Sequence, residues 1–217
     1  RGRQLFNWIY RKKVYDLTRM TDLPKSSQEK LKTFSIHPLK ILKTNSSSSK
    51  KTQKFLFMTK NGNTIESVLM NKGNHTTLCL STQVGCAVDC SFCATAKMGF
   101  IQNLSAGEII DQYLQLVKLS DKQITNVVFM GMGEPFLNYE NCIAAARLLN
   151  HEKGINLAAR KITISTAGVI KKIKKYTHDK HPYRLAVSLN GSNQHQRLKI
   201  MPITKNQTFH NLINAIK

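Results

Sequence analysis

Three thiols stand within eight residues at Cys86-Ala-Val-Asp-Cys90-Ser-Phe-Cys93, in a C-x3-C-x2-C spacing. Three thiolates are one short of a closed tetrahedral zinc site or a fully ligated cubane cluster. The spacing therefore suggests an iron–sulfur cluster with one iron left open. An open iron can bind a small molecule and pass it an electron. Two competing readings are a zinc knuckle completed by His75 or His151, and packed core cysteines; zinc sites favour C-x2-C pairs. The five cysteines do not resemble a disulfide framework and suggest a reducing compartment.

The elements around the loop read as repeated strand–loop–helix units. Residues 78–84 alternate as a strand and end at the turn-forming Gly85 before Cys86. A helix over 105–119 follows, with Ser105 and Glu108 forming a capping box. The apolar run 125–130 reads as a buried strand, ends in Gly131-Met-Gly133-Glu134-Pro135, and leads to a helix over 139–150. Strand 161–165 ends in Thr166-Ala-Gly168, then helix 169–176. Strand 183–188 ends in Leu189-Asn190, and a last helix begins near Thr208. Four β–α units in a row predict an α/β fold, a partial (β/α) barrel, with the unusual residues on one rim after the strands.

Upstream, residues 1–35 read as a small helical module. Its apolar face runs from Leu5 through Val14, Leu17 and Met20, and a second helix over Gln28–Phe34 is capped by Ser26 or Ser27. Core packing is the expectation for Trp8 and Tyr10. Residues 36–77 read as a β-hairpin segment: a strand at 38–43, a low-complexity loop at 44–51, and strands 54–59 and 64–70 joined at Asn61-Gly62. The hairpin is expected to place Glu66 on a strand edge. Residues 78–217 complete the organisation as the β–α core.

The formal charge is +21. Residues 1–77 hold 16 basic and 4 acidic side chains, and residues 78–217 hold 17 and 8, which excludes a single basic tail. A polyanionic partner, nucleic acid first, fits such a surface better than a small metabolite does. An AT-rich coding composition would also raise Lys, Asn and Ile. No membrane span or signal-peptide pattern is evident.

The loop after the first strand resembles the radical S-adenosylmethionine superfamily. Further words narrow the likeness: Cys79-Leu-Ser-Thr-Gln-Val-Gly-Cys86, Phe92-Cys93-Ala-Thr95, Met130-Gly-Met-Gly-Glu134-Pro135, Thr163-Ile-Ser165-Thr166-Ala-Gly168, and Ser188-Leu189-Asn190 followed by Arg197 and Met201-Pro-Ile203. Together they are similar to the dual-specificity adenine-C2 methyltransferases of 23S ribosomal RNA and tRNA. The C8-methylating enzymes share most of these words.

That resemblance implies a radical SAM-type fold, a [4Fe–4S] cluster on Cys86, Cys90 and Cys93, and bound S-adenosylmethionine. Gly133 and Glu134 would contact the cofactor's amino group, with Ser165, Ser188, Leu189 and Asn190 near its ribose and carboxylate. Ser165 as a helix cap is the competing reading. A 5′-deoxyadenosyl radical would activate a methyl group carried on a cysteine. Glu66 would take the C2 proton, and Cys79 would resolve the covalent RNA intermediate. Cys142 reads as core. In the family the carrier cysteine lies in a C-terminal segment. This chain opens at Arg1 and ends in an apparent helix, so it is expected to be a fragment without a carrier, lacking two units of about 30 residues if the barrel has six. A flavodoxin-like electron donor, a monomeric state, no membrane partner and a cytoplasmic location complete the expectation. Outside enzymes, the alternative is a zinc-type RNA-binding module.

Overall fold

The computed structural model describes residues 1–33 and 35–217. Helix α1 (Gly2–Phe6) passes into a π-helical turn at Asn7–Arg11, and Lys13, at φ 56°, ends it. One continuous helix through Met20 therefore does not form. A 3-10 turn at Leu17–Arg19 follows instead, capped by the Asp16 side chain. Helix α2 (Lys25–Leu31) starts directly after Pro24, whose carbonyl accepts from the Ser27 and Gln28 amides. Ser26 and Ser27 thus lie inside the first turn and do not cap it. The expected helix end at Phe34 falls outside the described residues. Trp8 is half-buried, with the Lys12 ammonium 3.4 Å from its ring centre. Tyr10 packs against the main core.

Strands β1 (Lys40–Ser46), β2 (Thr52–Met58), β3 (Thr64–Lys72) and β4 (His75–Cys79) form an antiparallel meander. The β2–β3 turn uses Gly62 at φ 82°, the left-handed geometry that glycine adopts without cost. β4 pairs with β3 only over Val68–Lys72, so Glu66, paired with Leu56 of β2, has no strand on its other side, the edge position expected of it. The expected strand over 78–84 is two pieces. After Cys79 the chain leaves the ladder because the fully buried Gln112 amide takes both the N–H and the carbonyl of Ser81, at 2.8 and 2.9 Å. Strand β5 (Gln83–Gly85) then pairs with β6 (Phe100–Asn103) in a separate ribbon that carries the cysteine loop.

The rest follows the β–α reading: α3 (Ala106–Leu119), β7 (Asn126–Phe129), α4 (Tyr139–Asn150), β8 (Ile162–Thr166), α5 (Ile170–His178), β9 (Arg184–Val187), α6 (Gln194–Ile200) and α7 (Phe209–Ile216). Helix α6 has no counterpart in the sequence reading. The seven-stranded order is β1-β2-β3-β4-β7-β8-β9, with β4, β7, β8 and β9 parallel. Among the described residues the sheet stays open, as a partial barrel does.

Alternate strand positions decide the faces. Leu78, Val127, Phe129, Ile162 and Ile164 are buried and share a core with Ile109, Tyr113, Ala145, Leu149 and Ile173 of the helices. Glu66, Cys79, Val128 and Ser165 fall on the opposite face by register. Helix α3 starts from a capping box: the Glu108 amide donates to Ser105 Oγ at 3.2 Å, and Ser105 N–H donates to the Glu108 carboxylate at 2.9 Å. Ser105→Ala should cost about 1 kcal/mol and lower the melting temperature by roughly 2–4 °C, measurable by circular dichroism.

Candidate active site

The cysteine loop is shaped by backbone before any ligand is considered. Gly85 sits at φ 71°, and a Cβ there would lie 1.8 Å from the Gly99 carbonyl oxygen. Only glycine lets the β5–β6 ribbon close at this point, where the Cys86 amide donates to that same carbonyl at 2.9 Å. Asp89, at φ 55°, turns the chain between Cys86 and Cys90, and the Cys93 amide donates to the Cys90 carbonyl. The Ser91 amide donates to Ile200 at the end of α6, so the loop is tied to a segment far along the chain.

The three thiols line one cavity of about 280 Å³ with Met130, Glu134, Ser165, Ser188 and Asn190. Every strand-end loop of the parallel part of the sheet contributes to it. Cys79 and Cys142 are buried elsewhere. Burial pushes the Cys86 and Cys90 thiols up, Cys90 to about 11, and nearby Cys93 and Glu134 add to it. Three thiols on one cavity wall are the donor type that iron–sulfur clusters take, so the residues present fit such a group. Among the described residues no three Cys, His, Asp or Glu side chains converge as they would on one bare ion. His75 opens β4, at the end away from the cysteine loop, and His151 packs its ring 4.7 Å from Phe6. Neither completes a zinc knuckle.

Glu134 is buried at the cavity edge. Its carboxylate accepts from the Phe136 amide at 2.9 Å and the Ala167 amide at 2.6 Å, while its own amide donates to Gln83 Oε1 at 2.8 Å. Burial pushes this carboxyl up, and those two amides oppose the shift. Gly133, at φ 96°, is required for packing as well as access: a Cβ would lie 2.5 Å from Gln83 Cβ. Ser165 faces the cavity, and the capping contacts expected of it belong to Thr166, whose Oγ1 accepts from the Gly168 and Val169 amides. Asn190 sits at φ 49°, a left-handed position asparagine tolerates. Leu189 does not line the cavity; its side chain packs on the main core and its carbonyl accepts from Arg197.

Glu66 and Cys79 stand outside this cavity. The Glu66 carboxylate pairs with Lys54 at 2.8 Å and its side chain is 41 % exposed. Its backbone joins the rim, since its amide donates to Met132 Sδ and its carbonyl accepts from Ser81 Oγ. Cys79 is buried, and burial pushes its thiol up to about 11.

The model of the radical SAM superfamily matches residues 80–217, and that of the ribosomal RNA large subunit methyltransferase N-terminal domain matches residues 1–36. A probable dual-specificity RNA methyltransferase RlmN from Aquifex aeolicus is 46 % identical over the whole chain, which covers 63 % of that relative. The chain belongs to the RlmN family of the radical SAM superfamily. The Thermotoga maritima RlmN relative is 44 % identical, with 64 % of it covered. A radical SAM methyltransferase structure from Sphaerobacter thermophilus superimposes with TM-score 0.93 at 40 % identity, over 99 % of this chain and 64 % of that one. The chain thus spans a little under two thirds of the relatives it matches. Membership in the RlmN family implies a [4Fe–4S] cluster and S-adenosylmethionine, in keeping with the three-thiol cavity.

In this RlmN-family chain the two classes of cysteine should separate chemically. Brief alkylation of the native, cluster-free chain with iodoacetamide should label Cys86, Cys90 and Cys93 and spare buried Cys79 and Cys142. Peptide mass mapping reads this directly; early labelling of Cys79 would contradict the packing at the end of β4. The sequence reading missed Arg197, which is fully buried on α6 beneath the cavity. Its only signal was its place among the shared family words, because its partners are backbone carbonyls.

Proposed function

We propose that the protein methylates C2 of a specific adenine in 23S rRNA and in tRNA, with a [4Fe–4S] cluster held by Cys86, Cys90 and Cys93. The observation that carries this reading is the single cavity shared by those thiols and by Glu134, Ser165, Ser188 and Asn190. Adenine C2 lies between two ring nitrogens and is too electron-poor to attack a sulfonium methyl group. The cluster and S-adenosylmethionine, when bound, supply the one-electron chemistry that such a carbon requires.

The chain's own residues position and shuttle. The Glu134 carboxylate, held by two amides, would pair with the cofactor's ammonium. Ser165, Ser188 and Asn190 would hold its ribose and carboxylate end from the ends of β8 and β9. Glu66 would take the C2 proton. Its ion pair with Lys54 is half-exposed and worth at most about 1 kcal/mol, so releasing the carboxylate costs little. Cys79 would resolve the covalent RNA intermediate by attacking the sulfur of the carrier cysteine, so that a disulfide forms as the bond from that sulfur to the RNA-borne carbon breaks and its electron pair goes to that carbon, which takes up a proton. The burial of Cys79, which pushes its thiol up to about 11, shields it from solvent oxidants at the end of β4.

The RNA would be held by the surface that carries the +21 charge. Purine C2 faces the minor groove, so the target base must be unpaired or flipped out. A flavodoxin-like protein would supply electrons in the cytoplasm. No helix among the described residues is long and apolar enough to cross a membrane.

The test uses the whole protein, reconstituted anaerobically, and RNA bearing deuterium at adenine C2. Methylation with loss of deuterium supports the proposal. Methylation that retains deuterium transfers the reading to C8. Cleavage of S-adenosylmethionine without RNA methylation would point to another radical reaction.

A further inference from the structure

Arg197 is the largest fully buried side chain in the described molecule, and no carboxylate pairs with it. A buried guanidinium normally meets an anion, since an isolated charge is expensive to remove from water. Here Nη1 donates to the carbonyls of Ser188 and Leu189, both at 2.5 Å, and Nη2 donates to the carbonyl of Ala167. Those carbonyls belong to the loops after β9 and β8. Nε has no partner. Three residues further along α6, the Ile200 carbonyl accepts from the Ser91 amide inside the cysteine loop at 2.9 Å. Met201, next in the chain, packs with Val88, Cys86 and Cys90.

One short helix thus touches three parts of the cavity wall, the cysteine loop and the ends of β8 and β9. Its fork fixes the strand ends that carry Ser188 and Asn190. It also holds Ala167, whose amide in turn binds the Glu134 carboxylate. Its last turn fixes the cysteine loop. The glycines around it allow close contact: a Cβ on Gly168 would lie 3.2 Å from Nη2, and one on Gly191 would lie 3.0 Å from the Arg197 amide nitrogen.

We infer that Arg197 is a positioning residue that sets the cysteine loop in register with the S-adenosylmethionine-contacting strand ends, and that its unpaired charge is balanced by the thiolate-ligated cluster. The inference rests on the function proposed above. Three thiolates on a cluster carry net negative charge, and reduction makes it more negative. A buried cation beside them favours the reduced form.

Two variants separate the fork from the charge. Arg197→Met removes both; Arg197→Lys keeps the charge but cannot span three carbonyls. In the anaerobically reconstituted chain both should bind iron and sulfide as wild type does, because the three cysteines remain. S-adenosylmethionine binding, measured by calorimetry, should weaken roughly tenfold or more in both. The cluster's midpoint potential should move to more negative values in Arg197→Met and stay near wild type in Arg197→Lys. Gly191→Ala, which presses on α6 without touching the guanidinium, should weaken S-adenosylmethionine binding and leave the potential unchanged. It also serves if the arginine variants do not fold. A lowered melting temperature with unchanged affinity and potential in the folded variants would overturn the inference and leave Arg197 merely structural. Failure of the parent reading shows separately: wild-type chain that takes up no iron sinks both.

Discussion

Replacing Cys90 by alanine is expected to abolish the iron–sulfur signal of the anaerobically reconstituted chain. The visible absorption of the cluster, the bound iron and the labile sulfide should all fall to background. Three thiols line the cavity, with no fourth thiol or imidazole beside them. Two remaining ligands leave half of a cubane unanchored. The loss should be selective. Cys90 is half-exposed and packs only on the small cluster around Val88, Ala167 and Met201, so its removal should change folding stability by about 1 kcal/mol or less. A native circular dichroism spectrum with no iron is therefore the expected pairing. Stoichiometric zinc in place of iron in the wild-type chain would overturn the cluster reading.

The second large effect falls on Glu134. Glu134→Gln should weaken S-adenosylmethionine binding by about 2–5 kcal/mol, roughly 30-fold to beyond 1,000-fold. The variant loses the charge that would meet the ammonium. Separately, two backbone amides donate to the carboxylate oxygens, and a glutamine can accept only one of them with its carbonyl. The other N–H would face an NH2 group, which should lower folding stability by about 1–3 kcal/mol. The pH dependence has a definite sign. Burial pushes the Glu134 carboxyl up, so the neutral form persists above the ordinary carboxylate range. Affinity for a cationic ammonium should rise as pH increases through that raised value, and the glutamine variant should not show this rise. Stability of the cofactor-free chain should move the other way. Its share from this group is full below the ordinary carboxylate value and is lost as pH rises through the folded one. Equal affinity in variant and wild type would remove Glu134 from the cofactor site.

What could be read from sequence was local. The Ser105–Glu108 capping box, the Asn61-Gly62 turn and the C-x3-C-x2-C spacing each place their information within a few residues, and the structure has the first two as read. The β–α order followed because each parallel strand is a short apolar run bounded by turn residues. Features that depend on distant partners were not legible. The break after Cys79 arises from the Gln112 side chain of α3, which no strand pattern reveals. Gly85 reads as a simple turn residue, and only the Gly99 carbonyl explains why nothing larger fits. Arg197 serves carbonyl oxygens, and carbonyls leave no mark on residue type. The N-terminal helix failed for a backbone reason, the left-handed Lys13, which apolar periodicity does not report.

The outer strand β1 has a consequence for handling this protein. It leaves its far hydrogen-bonding edge open among the described residues, and such an edge invites a second copy to add on. It carries the exposed cations Lys40 and Lys43. Edge-to-edge addition of two copies would bring these like charges together. The same positive excess that suits a polyanionic partner thus also acts as a guard against aggregation. Salt that screens it should promote self-association before it promotes unfolding.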